Sequence, residues 1–132
     1  MKLSNDSASD RGRERAGLRI LVVEDTLVVA DEIQHLLRKE GCEVVGPVST
    51  LDDALRSARD EQIDGALLDI NLHGKPAYPV ADTLITRQIP VVFITGYSSR
   101  SMPEPYRGLP CLEKPFSRLD FSRALERSFG NC

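Results

Sequence analysis

Apolar positions along this chain fall into two alternating rhythms. The run Leu18-Arg19-Ile20-Leu21-Val22-Val23 is nearly all apolar, stops abruptly at Glu24-Asp25, and predicts a buried strand. Thr26 to Glu40 then carries Val29, Ile33, Leu36 and Leu37 at helical spacing, and Gly41 is a suitable helix stop. Cys42 to Val48 predicts a second strand centred on Val44 and Val45. Thr50 can cap a second helix, with Asp53 in its first turn and Leu51, Ala54, Leu55 and Ala58 on one face. Ala66-Leu67-Leu68 is a third strand that ends at Asp69, and a Gly- and Pro-bearing loop, Asn71 to Pro79, follows it. Val80, Ala81, Leu84 and Ile85 mark a third helix. Val91-Val92-Phe93-Ile94 is a fourth strand ending at Thr95-Gly96, and Leu109 to Glu113 a fifth. Ser117 can cap a last helix with Leu119, Phe121, Leu125 and Phe129 as its apolar face.

Strands thus alternate with helices, and the strands are almost continuously apolar. That combination predicts an α/β fold: a three-layer sandwich with a five-stranded parallel sheet covered on both faces, in the flavodoxin-like order 2-1-3-4-5. One stretch breaks the rhythm. Residues 97–110, where position calls for a fourth helix, hold three prolines and a glycine. Proline removes an N–H and clashes with the preceding turn, so this helix is expected to be absent or short.

Composition narrows the rest. A chain of 132 residues suits one domain, with residues 1–17 expected as a disordered, polar tail and 18–132 as the folded unit. The tail has no apolar core of a secretory signal, and no apolar run is long enough to span a bilayer, so a cytoplasmic location without membrane attachment is expected. A net charge of −3 gives no electrostatic reason to expect nucleic acid. Cys42, Cys111 and Cys132 are odd in number and widely spaced, which fits free thiols rather than a disulfide or metal grouping.

In an open parallel sheet, ligands bind beyond the C-terminal ends of the strands. The residues there are Glu24-Asp25 after strand one, Asp69 after strand three, Thr95 after strand four, and Glu113-Lys114 after strand five. Each alone is an ordinary loop or turn residue; the set of four endings is the signal. Glu24, Asp25 and Asp69 brought together would repel, at roughly 3 kcal/mol per pair for a separation of ~5 Å and an effective dielectric near ~20. Such a cluster calls for a cation or a shifted pKa. Oxygen donors favour a hard divalent ion, Mg²⁺ first. Lys114 adds a compact positive charge for an incoming phosphoryl group, and Thr95 a hydroxyl.

These pieces resemble the response-regulator receiver domain of two-component signalling. The resemblance is carried by Ile-Leu-Val-Val-Glu-Asp at 20–25, Leu-Leu-Asp-Ile-Asn-Leu-His-Gly at 67–74, Phe-Ile-Thr-Gly-Tyr at 93–97 and Lys-Pro-Phe at 114–116. It implies that Asp69 is the phosphoacceptor. Asp25 would bind Mg²⁺ directly, Glu24 largely through water, and Asn71 through its backbone carbonyl. Thr95 and Lys114 would contact phosphoryl oxygens, and the peptide bond before Pro115 would be cis. A histidine kinase or phosphotransfer protein would be the donor. The protein would catalyse only its own phosphorylation and dephosphorylation, and so would not be an enzyme in the usual sense.

The sequence also departs from that family. An aromatic switch residue commonly stands three positions before the lysine; here that position is Cys111. Pro90 to Tyr97 resembles the FAT GUY group of stand-alone receivers, with Ile94 in place of its alanine. The resemblance makes Gly96, Tyr97 and the 97–110 segment candidates for the switch, with Tyr97 limiting water access. No output module is seen after Phe129, so a stand-alone regulator is expected, acting on an unknown output protein or draining phosphoryl groups. Two alternatives are a small Mg²⁺-dependent aspartyl phosphatase and a receiver-like interaction module that is never phosphorylated. Asn71 stands where a phosphatase would need its second acid, and no glycine-rich nucleotide motif is present.

Overall fold

The computed structural model describes residues 17–96 and 102–130. Residues 1–16 of the expected 1–17 tail, and Tyr97, lie outside the described residues; Gly17 is described and donates its N–H to the Gly41 carbonyl at 2.8 Å.

The first strand, β1 (Arg19–Val23), is followed by α1 (Leu27–Lys39), β2 (Glu43–Val48), α2 (Leu51–Asp60) and β3 (Gly65–Asp69). Then come α3 (Tyr78–Thr86), β4 (Val91–Thr95), α4 (Glu104–Arg107), β5 (Cys111–Glu113) and α5 (Arg118–Leu125), which runs on into a wider π-type turn, Glu126–Gly130. The five strands form one sheet in the order β2-β1-β3-β4-β5, with every pairing parallel. Between β3 and α3 the expected loop is tightened into an antiparallel pairing of Asn71–Leu72 with Lys75–Pro76.

Each face of the sheet has its own core. Ile20, Val22, Leu67, Val92 and Ile94 pack against Ile33 and Leu37 of α1 and Phe121 and Leu125 of α5. Leu21, Val23, Leu68 and Phe93 face the opposite way, toward Ala54 and Ala58 of α2 and Val80 and Leu84 of α3. The alternation follows from the two-residue period of a strand, and both faces are covered, which is why β3 and β4 are buried at every position.

Local chemistry sets the helix boundaries. The Thr50 hydroxyl accepts from the Asp53 N–H at 3.2 Å, and the Ser117 hydroxyl from the Asp120 N–H at 3.0 Å. After α1, Gly41 adopts φ +85°, the left-handed conformation that ends helices and that glycine reaches without Cβ strain. Gly65 opens β3 under the Phe129 ring; a Cβ there would lie 2.5 Å from a ring carbon. The chain's last aromatic therefore closes over the start of the strand that ends at Asp69.

Three expectations need correction. Leu119 was expected on the buried face of α5 but is 58% exposed. Phe121, Leu125 and Phe129 are spaced by four and share a face; Leu119 is two residues, about 200°, away from Phe121. Ile85 likewise turns outward, 44% exposed, because Val80, Ala81 and Leu84 already define the buried face of α3. The fifth strand starts at Cys111 rather than Leu109, whose N–H closes a turn onto the Tyr106 carbonyl at 3.1 Å. The proline-rich stretch holds only the four-residue α4 among its described residues. No described helix is long and apolar enough to cross a membrane.

Candidate functional site

The strand endings meet at the C-terminal edge of the sheet. Asp69 and Thr95 are the last residues of the two central strands β3 and β4, and Glu24, Asp25 and Lys114 follow β1 and β5 directly. Register brings them together: Asp69 pairs with Ile94, and Thr95 with Glu113. The Lys114 N–H donates to the Thr95 carbonyl at 2.7 Å, which fixes where its side chain departs. The Lys114–Pro115 peptide bond is cis. A cavity of about 340 Å³ opens there, lined by Asp25, Asp69, Asn71, Thr95, Gly96 and Lys114.

Carboxylate oxygens of Glu24, Asp25 and Asp69 lie within 4.8 Å of one another. Lys114 Nζ sits among them, 3.2 Å from Glu24 Oε2 and 3.4 Å from Asp69 Oδ2. Glu24 is fully buried. Its Oε2 also accepts from the Thr26 N–H at 3.1 Å, but its Oε1 has no hydrogen-bond partner among the described residues. A buried carboxylate oxygen without a donor is costly, by roughly 1–3 kcal/mol or more. It is the mark expected of a site built to hold a cation. The donor set, three carboxylates plus a nearby carbonyl, matches a hard oxygen-seeking ion such as Mg²⁺.

The remaining oxygens are held by the β3–α3 segment. The Asn71 N–H donates to Asp69 Oδ1 at 3.1 Å, and the His73 N–H to Asp25 Oδ2 at 2.8 Å. The Asn71 side-chain oxygen accepts from the Gly74 N–H at 2.8 Å, closing the loop tip. Because the Ala77 N–H bonds to the Ile70 carbonyl and Asn71 faces Pro76, the pairing leaves the Asn71 carbonyl unused.

Electrostatics follow from this packing. Burial pushes the Asp69 carboxyl up to about 7; Glu24 adds to the shift, while the Asn71 N–H and Lys114 oppose it. Burial also pushes on Asp25, but the His73 N–H and the Asp69 carboxyl outweigh it and hold Asp25 below its ordinary value. Burial works against the Lys114 charge, yet Asp69 and Glu24 keep its ammonium above the usual lysine value. Asp69 is therefore poised to respond to any added positive charge.

Cys111 is not in this cavity. Its thiol is half-buried on β5 against the α2–α3 side of the core, and burial pushes its pKa up. Two features were not foreseen from the sequence. One is the His73 anchor on Asp25; His73 and Gly74 both have positive φ, 50° and 82°, and the Asn-Leu-His-Gly turn chemistry was the available signal. The other is an aromatic cluster. Tyr106 of α4 stacks on Tyr78 of α3 at 4.4 Å between centroids, and both meet Phe93 edge-on at 6.1 Å. The Tyr106 hydroxyl donates to Asp82 at 2.8 Å. No local pattern marks this cluster, because its members come from three separate elements.

The family model described as the response regulator receiver domain matches residues 20–126. The chain belongs to the response regulator receiver family. Among curated proteins, it is 31% identical over 135 residues to the phyllosphere-induced regulator PhyR of Methylorubrum extorquens, a match covering 93% of this chain and 49% of PhyR. The chain spans about half the length of the curated relatives it first matches. Among solved structures, the solution structure of SdrG from Sphingomonas melonis Fr1 shares 39% identity at a TM-score of 0.75, covering 83% of this chain and 93% of that one. The receiver domain of the sensor histidine kinase PA1611 from Pseudomonas aeruginosa PAO1, crystallised with a magnesium ion in its active-site cleft, shares 28% identity at a TM-score of 0.72. That match covers 88% of this chain and all of the other.

Proposed function

We propose that this receiver accepts a phosphoryl group on Asp69 from a histidine kinase or phosphotransfer protein, with Mg²⁺ bound. The observation that carries the reading is the buried acid cluster, with an unpartnered Glu24 oxygen beneath Asp69 and Lys114 reaching across it. Asp25, Asp69 and the Asn71 carbonyl would hold the ion, with Glu24 behind them. When bound, Mg²⁺ supplies positive charge against the phosphoryl oxygens and lowers the pKa of Asp69.

The chain's own residues do the rest. Asp69, ionised, attacks phosphorus in line; the P–N bond of the donor phosphohistidine breaks as the P–O bond forms. Lys114 moves its ammonium from Asp69 to a phosphoryl oxygen and stays buried enough to act at short range. Thr95, at the end of the neighbouring strand, is placed to contact a second oxygen. The Asn71 and His73 N–H groups hold the two aspartates in place while charge moves.

The reading extends to a stand-alone, cytoplasmic regulator that modifies only itself and signals by binding, or drains phosphoryl groups. The near-complete coverage of SdrG supports the stand-alone part. The magnesium ion in the PA1611 receiver supports the ion. Incubation with acetyl phosphate and Mg²⁺ tests the core. One hydroxylamine-labile phosphoryl group is expected on the wild type and none on Asp69→Asn or in EDTA. Labelling that persists on Asp69→Asn would overturn the assignment of Asp69.

A further inference from the structure

The chain has two histidines, and one of them, His73, stands beside the acid cluster. It occupies the tip of the hairpin that pairs Asn71–Leu72 with Lys75–Pro76. His73 and Gly74 both take positive φ, 50° and 82°, the backbone of a tight two-residue turn. Leu72, buried in the core, roots the hairpin, and the Gly74 N–H is tied to the Asn71 side chain. The His73 N–H donates to Asp25 Oδ2 at 2.8 Å, so its backbone is pinned at the edge of the cluster. Its ring is exposed, and Nδ1 lies 3.8 Å from the same Asp25 oxygen. No other hydrogen bond or ion pair reaches the ring among the described residues.

The fold asks for less than a histidine here. It needs the N–H and a left-handed backbone, both of which asparagine supplies, and an exposed ring adds nothing to the core. What the imidazole adds is a nitrogen donor next to a carboxylate. Two donors on one ion, each about 2.1 Å from it, stand ~3.0 Å apart at a right angle and ~3.4 Å apart at the tetrahedral angle. The observed 3.8 Å closes to that range by roughly 0.4–0.8 Å, a small turn of an exposed side chain. Glu24 Oε1, buried and without a donor among the described residues, is the independent sign that a cation belongs in this cluster.

Ions differ in what they make of such a nitrogen. Mg²⁺ takes oxygen donors and water and gains little from imidazole, whereas affinity for nitrogen rises along the first row from Mn²⁺ to Ni²⁺ and Cu²⁺. We infer that His73 is a metal ligand. Through its imidazole and Asp25 the cluster also takes first-row transition ions, Ni²⁺ being the test case, and holds them in competition with Mg²⁺. This rests on the reading of the acid cluster as a cation site and goes beyond it in both ligand and metal. Asp25 serves either ion, so donor preference rather than charge decides which one occupies the site.

The test titrates the untagged full chain with nickel chloride and with magnesium chloride by calorimetry, in the absence of phosphoryl donor. His73→Asn keeps the N–H and suits the left-handed backbone; His35→Asn, on α1, is the control. The preference for Ni²⁺ over Mg²⁺, taken as the ratio of the two dissociation constants, should fall roughly tenfold or more in His73→Asn and hold in His35→Asn. Excess Mg²⁺ should displace Ni²⁺ from the wild type. One equivalent of diamagnetic Zn²⁺ should move the His73 ring nitrogens in the ¹⁵N spectrum and leave those of His35 in place, a readout that a merely structural histidine would not give. An unchanged ratio in His73→Asn overturns the inference. So do His73 ring nitrogens that ignore Zn²⁺, or Ni²⁺ that binds independently of Mg²⁺. A wild type that binds neither ion overturns the cation-site reading as well, whereas Mg²⁺ binding with an unchanged ratio overturns only the role of His73.

Discussion

Replacing Asp69 by asparagine should stabilise the metal-free protein, and by an amount that depends on pH in a calculable way. Asp69 titrates near 7 in the folded chain against 3.8 for the free side chain. The folded state therefore holds the proton more tightly than the unfolded state. Stability contributed by the protonated form is fully present below 3.8 and is lost as pH rises toward 7. Each pKa unit is worth about 1.4 kcal/mol, so Asp69 costs the fold on the order of 1–2 kcal/mol at pH ~5, where it must take up a proton to fold, and on the order of 4 kcal/mol at pH ~8, where it is ionised in both states. This already includes the help of Lys114, which partly offsets the burial. Asparagine keeps the shape and loses the titration. In EDTA, Asp69→Asn should gain more than about 2 kcal/mol over the wild type between pH ~5 and pH ~8, read by urea unfolding at each pH. Differences in packing between the two side chains cancel in that comparison. Added Mg²⁺ should then restore the wild type preferentially, by about 2.7 kcal/mol at a hundred times its dissociation constant. A stability difference that is flat with pH, or one that shrinks as pH rises, would refute the reasoning.

Other outcomes follow from the same geometry. Lys114→Ala should bind Mg²⁺ as tightly as the wild type or tighter by calorimetry, because the competing ammonium is gone, while its phosphorylation by acetyl phosphate falls roughly 10²-fold or more. Gly65→Ala should destabilise by roughly 1–3 kcal/mol in denaturant titration, since its Cβ would intrude 2.5 Å from the Phe129 ring. If Phe129 is what resists it, Phe129→Ala should cost roughly 3–5 kcal/mol alone, and the double variant should lose less than the sum. Tyr106→Phe should lower stability by only about 0.5–1 kcal/mol, as its bond to Asp82 is near solvent, whereas Tyr106→Ala should cost more by removing the stack on Tyr78.

Most of the architecture was legible because it rests on period and endings. Strand cores such as Val91-Val92-Phe93-Ile94 have one reading, and the parallel order brings their C-terminal ends to one edge whatever the loops do. Asp69, Thr95 and Lys114 could be placed together on that ground alone. What the sequence could not supply was geometry across elements. Leu119 looked like a core residue because apolar identity was read before helical phase. The aromatic position vacated at Cys111 read as a loss, although Tyr106 fills neighbouring space from α4, after a proline-rich stretch with no period to follow. The unpartnered Glu24 oxygen was equally invisible: a glutamate in a sequence carries no sign of which of its oxygens will find a donor.

The aromatic cluster has a practical consequence. The chain has no tryptophan and three tyrosines, of which Tyr78 and Tyr106 form one stacked pair. Its near-ultraviolet spectrum is thus dominated by a single spot in the fold, touching Phe93 two residues before Thr95. The protein carries its own optical gauge, set where the end of β4 meets α3 and α4, and it can be read without attaching a label.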